Sequence, residues 1–328
     1  MLLFFIISGF ILGIPFAKQY WQQGKEVSLI SYFKRRLTRL EPPYFLAMTV
    51  SFLAVLFFSG HEFTRMFPNS FSTLLPRFLA SIFYVHNIIF PHNLSLNPVA
   101  WTLEIEIQFY LLVPLLVLIL RLRSLYRRLA LIFLVGFFIF LQHSFPSPYI
   151  TIYSFIQYFL SGFLVLDFYL SGVSYKIPQI FSFIIGVLNL LIFVYIDINR
   201  SIFHEFLFIA SLLLLTLLAL TDDFWKKVFG FKLITAIGGM CYSIYLLHLL
   251  IMSAVGNVTI NFNPFNFNSY PGLLVWHSVI LVPIIIFFSS IFYLAIEKPC
   301  MDKDWPLKLK IWIKGLFGHK ILNSEFIA

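Results

Sequence analysis

The strongest constraint on this chain is the run 99–120, which is apolar apart from a few polar side chains near its start. At ~1.5 Å rise per residue, a helix of this length spans the hydrocarbon core of a bilayer. The chain as a whole is 60% hydrophobic and 11% charged, with a mean hydropathy of +0.91. No soluble domain has such a composition, so we predict an all-α, polytopic transmembrane helix bundle.

Nine apolar runs predict nine spans. They cover about residues 2–16, 42–59, 99–120, 129–143, 149–170, 179–196, 203–220, 233–255 and 273–296. The first is short, since a span usually takes about 17–25 residues, and Pro42 and Pro43 are expected to begin the second. Residues 74–90 predict an interfacial or re-entrant helix. We therefore expect an integral membrane domain in 1–300 and a short basic cytoplasmic tail in 301–328.

The distribution of basic residues supports this count. Only Arg65, Arg77 and Arg200 fall on one side, which leaves 20 of the 23 lysines and arginines on the other. The positive-inside rule makes that second side cytoplasmic, so Met1 lies outside and a further span is expected before it. Because topology accounts for the net charge of +9, we expect no nucleic-acid partner. The two cysteines predict neither a disulfide framework nor a metal site.

Two carboxylates, Glu104 and Glu106, lie near the start of the third span. A carboxylate inside such a segment costs at least ~2.5 kcal/mol on insertion scales, so it marks a candidate functional site. Successive helical residues are about 100° apart, hence the two acids face different directions. We expect Glu104 to lie nearer the interface and to reach water. Glu106 is expected to lie deeper and to be catalytic.

His248 is the second intramembrane candidate. It and Glu106 each lie about seven residues from the outer ends of their spans, which places both roughly 10 Å below the outer boundary. A carboxylate that meets an imidazole holds its tautomer and raises its basicity, as general-base catalysis needs. Two structural alternatives stay open: Glu106 could form an ion pair or helix clamp, and His248 could be satisfied by a backbone carbonyl or a nearby Tyr.

Arg35, Arg36 and Arg39 form a basic patch. Their spacing puts them on one helix face at the membrane surface. Guanidinium groups bind phosphate bidentately, so the patch suits a phosphate-rich cytosolic ligand, although topogenic charge alone would also place it there. Glu297, where the last span ends, is either an interfacial anchor or a partner of this patch.

Five motifs together resemble the membrane acyltransferase family 3, integral enzymes that O-acylate sugars and other surface molecules. FFIISGFILG resembles the family's FFVISGFLI-type helix, RRLTRLEPPYFLA its RRxxRIxPxY motif, and WTLEIEIQFYLLVPLL its WSLxxExxFYLxxP motif. MCYSIYLLHLL resembles SYxxYLxH, and AIEKP resembles xxErP. The five follow the family's order from end to end, and the ordered set is specific.

The resemblance implies a reaction and a set of site residues. An acetyl or other short acyl group would move from cytosolic acyl-CoA, a co-substrate rather than a bound cofactor, to a hydroxyl of a cell-surface polysaccharide or lipid-linked sugar. The membrane would be the bacterial inner membrane. The Arg patch would hold the donor's phosphates, and Glu106 and His248 would orient or deprotonate the acceptor hydroxyl. The further substrate-binding residues would be Trp101, Tyr110, Tyr245 and Glu297.

The sequence departs from the family pattern in several places. Thr102 stands for the usual Ser, Ile107 for a frequent second acid, and Cys241 for the Ser of SYxxYLxH. The family's first helix carries an Arg and the favoured catalytic His about ten residues apart, and this sequence does not contain it. We therefore expect residues 1–328 by themselves not to turn over. The tail is too short for an extracytoplasmic SGNH-type hydrolase domain, which predicts a stand-alone member.

Two other functions are compatible with the composition. A lipid-linked sugar transporter without chemistry would show paired Gly- or Pro-broken helices in symmetric halves, which are not visible here. The other is an inactive, truncated acyltransferase.

The charge distribution predicts the topology directly. Reporter fusions after Arg128 and after Lys232 should report cytoplasm, and a fusion at Asn263 should report the exterior. An external signal from the loop 121–128 would contradict nine spans.

Overall fold

The structure is a computed structural model that describes residues 1–57, 70–91, 93, 95–172, 178–198, 200–261, 269–302 and 304–311. Arg65, Asn263 and the tail from 312 lie outside the described residues. The helices are α1 Leu2–Trp21, α2 Leu29–Phe57, α3 Phe71–Ile82, α4 His86–Ile89, α5 Trp101–Leu116, α6 Ser124–Ser144, α7 Ile156–Leu170, α8 Gln179–Tyr195, α9 Ile202–Thr221, α10 Asp223–Phe229, α11 Lys232–Gly239, α12 Cys241–Asn261, α13 Tyr270–Phe292 and α14 Lys298–Cys300.

The all-α transmembrane class is confirmed. Within the described residues, six helices are long and apolar enough to cross a membrane, and α11 with α12 makes a seventh if this pair, bent by 73°, counts as one span. The other two predicted spans coincide with α7 and α8, which have 15 and 17 residues. Both are shorter than the 18 residues required of the six spanning helices, so the count of nine spans remains a prediction. The domain boundary at residue 300 also remains a prediction.

The first two spans differ from prediction at their ends. The first helix runs to Trp21 and has 20 residues, which is long enough to span. The second begins at Leu29, so Pro42 and Pro43 lie inside it instead of starting it. Consequently the Arg patch stands on the same continuous helix as the span that follows it.

The chain divides into two compact units, of which the first comprises Met1–Leu29 and Leu79–Ala236. Its core is α7, where every side chain from Ile156 to Asp167 is buried. A helix that is apolar all round is one that its neighbours cover. Here α1, α6 and α9 pack around it, and the Phe159 ring stacks on Phe109 of α5 at a centroid distance of 3.9 Å.

The crossing of α1 and α7 depends on two glycines. A Cβ on Gly9 would lie 3.2 Å from the Gly162 Cα and would overlap the Phe159 carbonyl oxygen. A Cβ on Gly162 would overlap the Ile6 carbonyl oxygen. The backbones approach this closely only because neither residue carries a side chain. Gly9, a small residue of the FFIISGFILG motif, therefore packs on α7.

The second unit comprises Ile30–Phe78 and Ile237–Ala328. In it α12 and α13 pack along each other, and α12 begins after a sharp break at Met240. The end of α13 continues as a π-helical turn, Tyr293–Glu297, into α14. Such turns occur mostly as local bulges and often at functional sites.

The glycine crossing predicts a position-specific loss of stability. Gly162→Val should lower the free energy of unfolding by about 1–3 kcal/mol or more, since the added methyls meet backbone that cannot move aside. The measurement is the melting temperature of the detergent-solubilised protein. Gly256→Val is the matched control, because a Cβ on Gly256 meets nothing within 4 Å. Equal melting of the two variants would contradict the close crossing.

Candidate active site

Glu106 links two helices of the first unit. Its Oε1 accepts a hydrogen bond from the Ser8 hydroxyl of α1 at 3.1 Å and another from the Tyr110 hydroxyl, one turn further along α5. Tyr110 is buried and Glu106 half-buried. This arrangement is the helix clamp that the sequence left open. Neither bond ends on Oε2, so the carboxylate keeps acceptor capacity for a further group.

Glu104 is the more deeply buried acid, so the prediction that it would reach water was wrong. Its side chain is fully buried beneath α4, and its Oε2 accepts the Asn87 N–H at 2.9 Å. The Asn87 side chain donates in turn to the Trp101 carbonyl at 3.4 Å. Glu104 thus holds α4 against the start of α5.

His248 lies on α12 with its ring bonded to its own helix. Nδ1 lies 3.1 Å from the Ile244 carbonyl oxygen and 2.9 Å from that of Tyr245. A carbonyl can only accept, so Nδ1 carries the proton and Nε2 holds the lone pair of the neutral imidazole. The alternative that a backbone carbonyl satisfies His248 is therefore correct for Nδ1. The same bonds leave Nε2 unprotonated, as a general base requires.

The predicted dyad joins residues of different units. Glu106 belongs to the first unit and His248 to the second. The contact between them stays a prediction.

Glu297 is held against the start of α12 in the second unit. It is buried and accepts the Ser243 N–H at 3.1 Å and the Ser243 hydroxyl at 2.5 Å. An N–H in the first turn of a helix has no partner within the helix, and the dipole favours a negative group there. The pairing of Glu297 with the Arg patch stays a prediction.

The Arg patch is anchored through the backbone of α2. Arg35 is exposed, and Arg36 and Arg39 are half-buried. Pro42 has no N–H, so it cannot bond the Thr38 carbonyl four residues before it. The Trp305 Nε1–H donates to that carbonyl instead, at 2.9 Å.

Of the other predicted substrate-binding residues, Trp101 belongs to the first unit and Tyr245 to the second. Trp101 begins α5, with its ring centroid 5.4 Å from that of Phe155. Tyr245 precedes His248 by one turn of α12, at a ring distance of 6.2 Å. In the part of the chain that the structure describes, no group of three His, Cys, Asp or Glu side chains is placed to hold a metal ion.

The order of these motifs agrees with a comparison against known families. The sequence model of a family described as an acyltransferase domain matches residues 1–294. The chain belongs to this family. The predicted membership of the membrane acyltransferase family 3 is thereby confirmed.

Two curated relatives of the chain are proteins of Staphylococcus aureus. A protein of strain COL named "Putative O-acetyltransferase" is 27% identical over 329 residues, covering 90% of this chain and 51% of the relative. The O-acetyltransferase OatA of strain NCTC 8325 / PS 47 is 26% identical over 284 residues, covering 77% and 46%. The chain thus spans about half the length of these relatives. No solved structure matches it significantly.

A polar cluster of the acyltransferase that the sequence did not reveal surrounds Glu205. This acid is buried in the first turn of α9. It accepts hydrogen bonds from Gln157 at 2.9 Å and Tyr158 at 3.0 Å, and His143 Nε2 lies 2.9 Å from its other oxygen. The sequence assigned His143 no role. The available signal was an acid within an apolar run, which is costly without partners.

A second cluster lies at the other end of α7. The buried carboxylate of Asp167 pairs with Arg127 and Arg128, and Arg127 also lies over the Trp21 ring at 4.0 Å from its centroid. From the sequence, membrane topology alone explained the position of these arginines. The structure shows that they also join α6 to α7.

The Glu205 cluster predicts a stability effect. Glu205→Ala should lower the free energy of unfolding by about 3–5 kcal/mol, because it leaves several buried polar groups without their shared acceptor. Glu205→Gln, which keeps an acceptor oxygen, should cost less. Melting of the solubilised protein measures both, and Asp223→Ala serves as the control because the Asp223 side chain is 87% exposed. A Glu205→Ala variant as stable as this control would show that the cluster is not a clamp.

Proposed function

We propose that the protein is an integral O-acyltransferase of the bacterial inner membrane. It would move an acetyl or other short acyl group from cytosolic acyl-CoA to a hydroxyl of a cell-surface polysaccharide or lipid-linked sugar. Family membership over residues 1–294 and the names of the O-acetyltransferase relatives support the reaction class. The donor and the acceptor are part of the proposal.

The observation that carries the assignment of a base is the tautomer of His248. Because Nδ1–H is bound to backbone carbonyls, Nε2 is the proton acceptor. The acceptor's hydroxyl oxygen attacks the thioester carbonyl carbon while Nε2 takes the hydroxyl proton. The carbon–sulfur bond then breaks, and the leaving thiolate receives that proton. The products are the O-acyl ester and the free thiol of CoA.

Glu106 is proposed to orient the acceptor hydroxyl. The bonds from Ser8 and Tyr110 fix the carboxylate by Oε1. A carboxylate oriented in advance lowers the entropy cost of placing the substrate hydroxyl for attack.

The Arg patch is proposed to bind the donor's phosphates. Arg35→Ala combined with Arg39→Ala should raise the KM for acetyl-CoA by tens of fold or more, since each charge-assisted contact contributes ~1.5–3 kcal/mol. Transfer would be followed by mass spectrometry, using membranes that contain the protein with and without a relative's first helix fused before Met1. Lys34→Ala is the matched control, because this exposed lysine lies outside the patch on the same helix.

In the same assay, His248→Gln should lower kcat by about 10²–10⁴-fold and leave the acetyl-CoA KM in place. Unchanged donor dependence of the double Arg variant would mean that the patch is only topogenic. Absence of transfer from any acyl-CoA by both wild-type forms would contradict the proposed reaction itself.

A further inference from the structure

A cavity lies at the end of the last span, where the AIEKP motif contributes Lys298 and Pro299 to its lining. It has a volume of about 640 Å³ and lies wholly within the second unit. Leu294, Pro299 and Leu309 form its apolar wall, and Lys298, Lys308 and Trp305 contribute two cations and a flat ring. Small-molecule sites are typically concavities of about 300–1,000 Å³ that combine an apolar lining with a few polar groups.

The geometry of the cavity follows from the backbone of α2. The indole N–H of Trp305 is bound to the Thr38 carbonyl, which Pro42 leaves without a donor within the helix. The half-buried ring is thereby fixed beside the turn that carries Arg35 and Arg39. The cavity and the Arg patch are therefore neighbouring parts of one basic region.

The polar rim is also ordered. Lys308 forms an ion pair with Asp302, and Asp302 accepts the Asp304 N–H at 3.0 Å. The hydrogen bond from Lys308 lowers the pKa of Asp302, and the same bond raises the pKa of Lys308. Both groups therefore stay charged near neutral pH, and the rim presents a cation together with a hydrogen-bond acceptor.

This combination suits a ligand with a flat heterocycle, hydroxyl or amino donors and several phosphates. Bases stack on aromatic side chains, and lysine binds phosphate as a point charge. An anionic lipid headgroup shares the phosphate chemistry. It has no ring to stack on Trp305, however.

We propose that this cavity binds the 3′-phosphoadenosine end of the acyl-CoA donor. The adenine stacks on Trp305, the 3′-phosphate lies against Lys298 and Lys308, and Asp302 accepts from the ribose or the adenine amino group. The inference rests on the proposed use of acyl-CoA. It adds a nucleotide subsite beside the Arg patch.

The test is binding of CoA and of dephospho-CoA, which lacks the 3′-phosphate, to the purified protein by calorimetry. Wild type should prefer CoA, and Lys298→Gln with Lys308→Gln should abolish that preference. Trp305→Leu should weaken CoA binding about 5- to 150-fold, the range given by the loss of one base-stacking contact. Trp305→Phe, which retains a stacking face, should recover part of the affinity. Lys310→Gln is the control, an exposed lysine of the same segment that does not line the cavity.

Each other outcome overturns the inference in a distinguishable way. Wild-type affinity for CoA in the Trp305→Leu and double-lysine variants would reject the subsite and leave the proposed function intact. Failure of wild type both to bind CoA and to accept an acyl group from it would reject the proposed function as well. Loss of binding to phosphatidylglycerol vesicles in the double-lysine variant, with CoA affinity unchanged, would identify a lipid headgroup as the ligand.

Discussion

The structure depends on one constraint: a backbone N–H or C=O in hydrocarbon needs a partner, because no water is present to supply one. Helices satisfy most of these groups, but this chain places prolines inside α1, α2, α3, α5 and α13. Each proline lacks the N–H that would bond the carbonyl four residues before it. Helix starts leave further N–H groups without partners. Side chains from elsewhere must then approach these groups, and that requirement fixes which segments meet.

Several motif residues form hydrogen bonds to backbone groups. Glu297 accepts an N–H from the start of α12, Tyr242 donates to the Leu40 carbonyl at 3.0 Å, and His248 donates to its own helix. The backbone therefore sets the orientation of groups that carry the proposed chemistry. A side chain positioned in this way is pre-organised, since its alternative rotamers would lose the hydrogen bond to the backbone.

The sequence predicted much of this organisation. The predicted spans fall on helices, one of them on the bent pair α11 and α12, because hydrophobic length is read directly from composition. The i, i+4 spacing of Arg35 and Arg39 places them on one face because the chain is helical there. The relative burial of Glu104 and Glu106 was not predictable, since it depends on α4 covering the start of α5. Ser8, His143 and Trp305 were missed for a related reason: their partners are distant in sequence, and no local periodicity encodes such pairs. Whether Glu106 meets His248 is likewise a long-range matter that spacing within single helices cannot decide.

The short core helix has an electrical consequence. Polar clusters lie at both of its ends, around Gln157 and around Asp167, which are ten residues apart. That separation is ~15 Å along the helix axis, about half the ~30 Å thickness of a bilayer's hydrocarbon core. The ionisable groups of the two clusters are thus separated by about half a hydrocarbon core of helix. In a membrane, a charge that passes from one cluster to the other would cross a shorter apolar path than one that crosses the lipid.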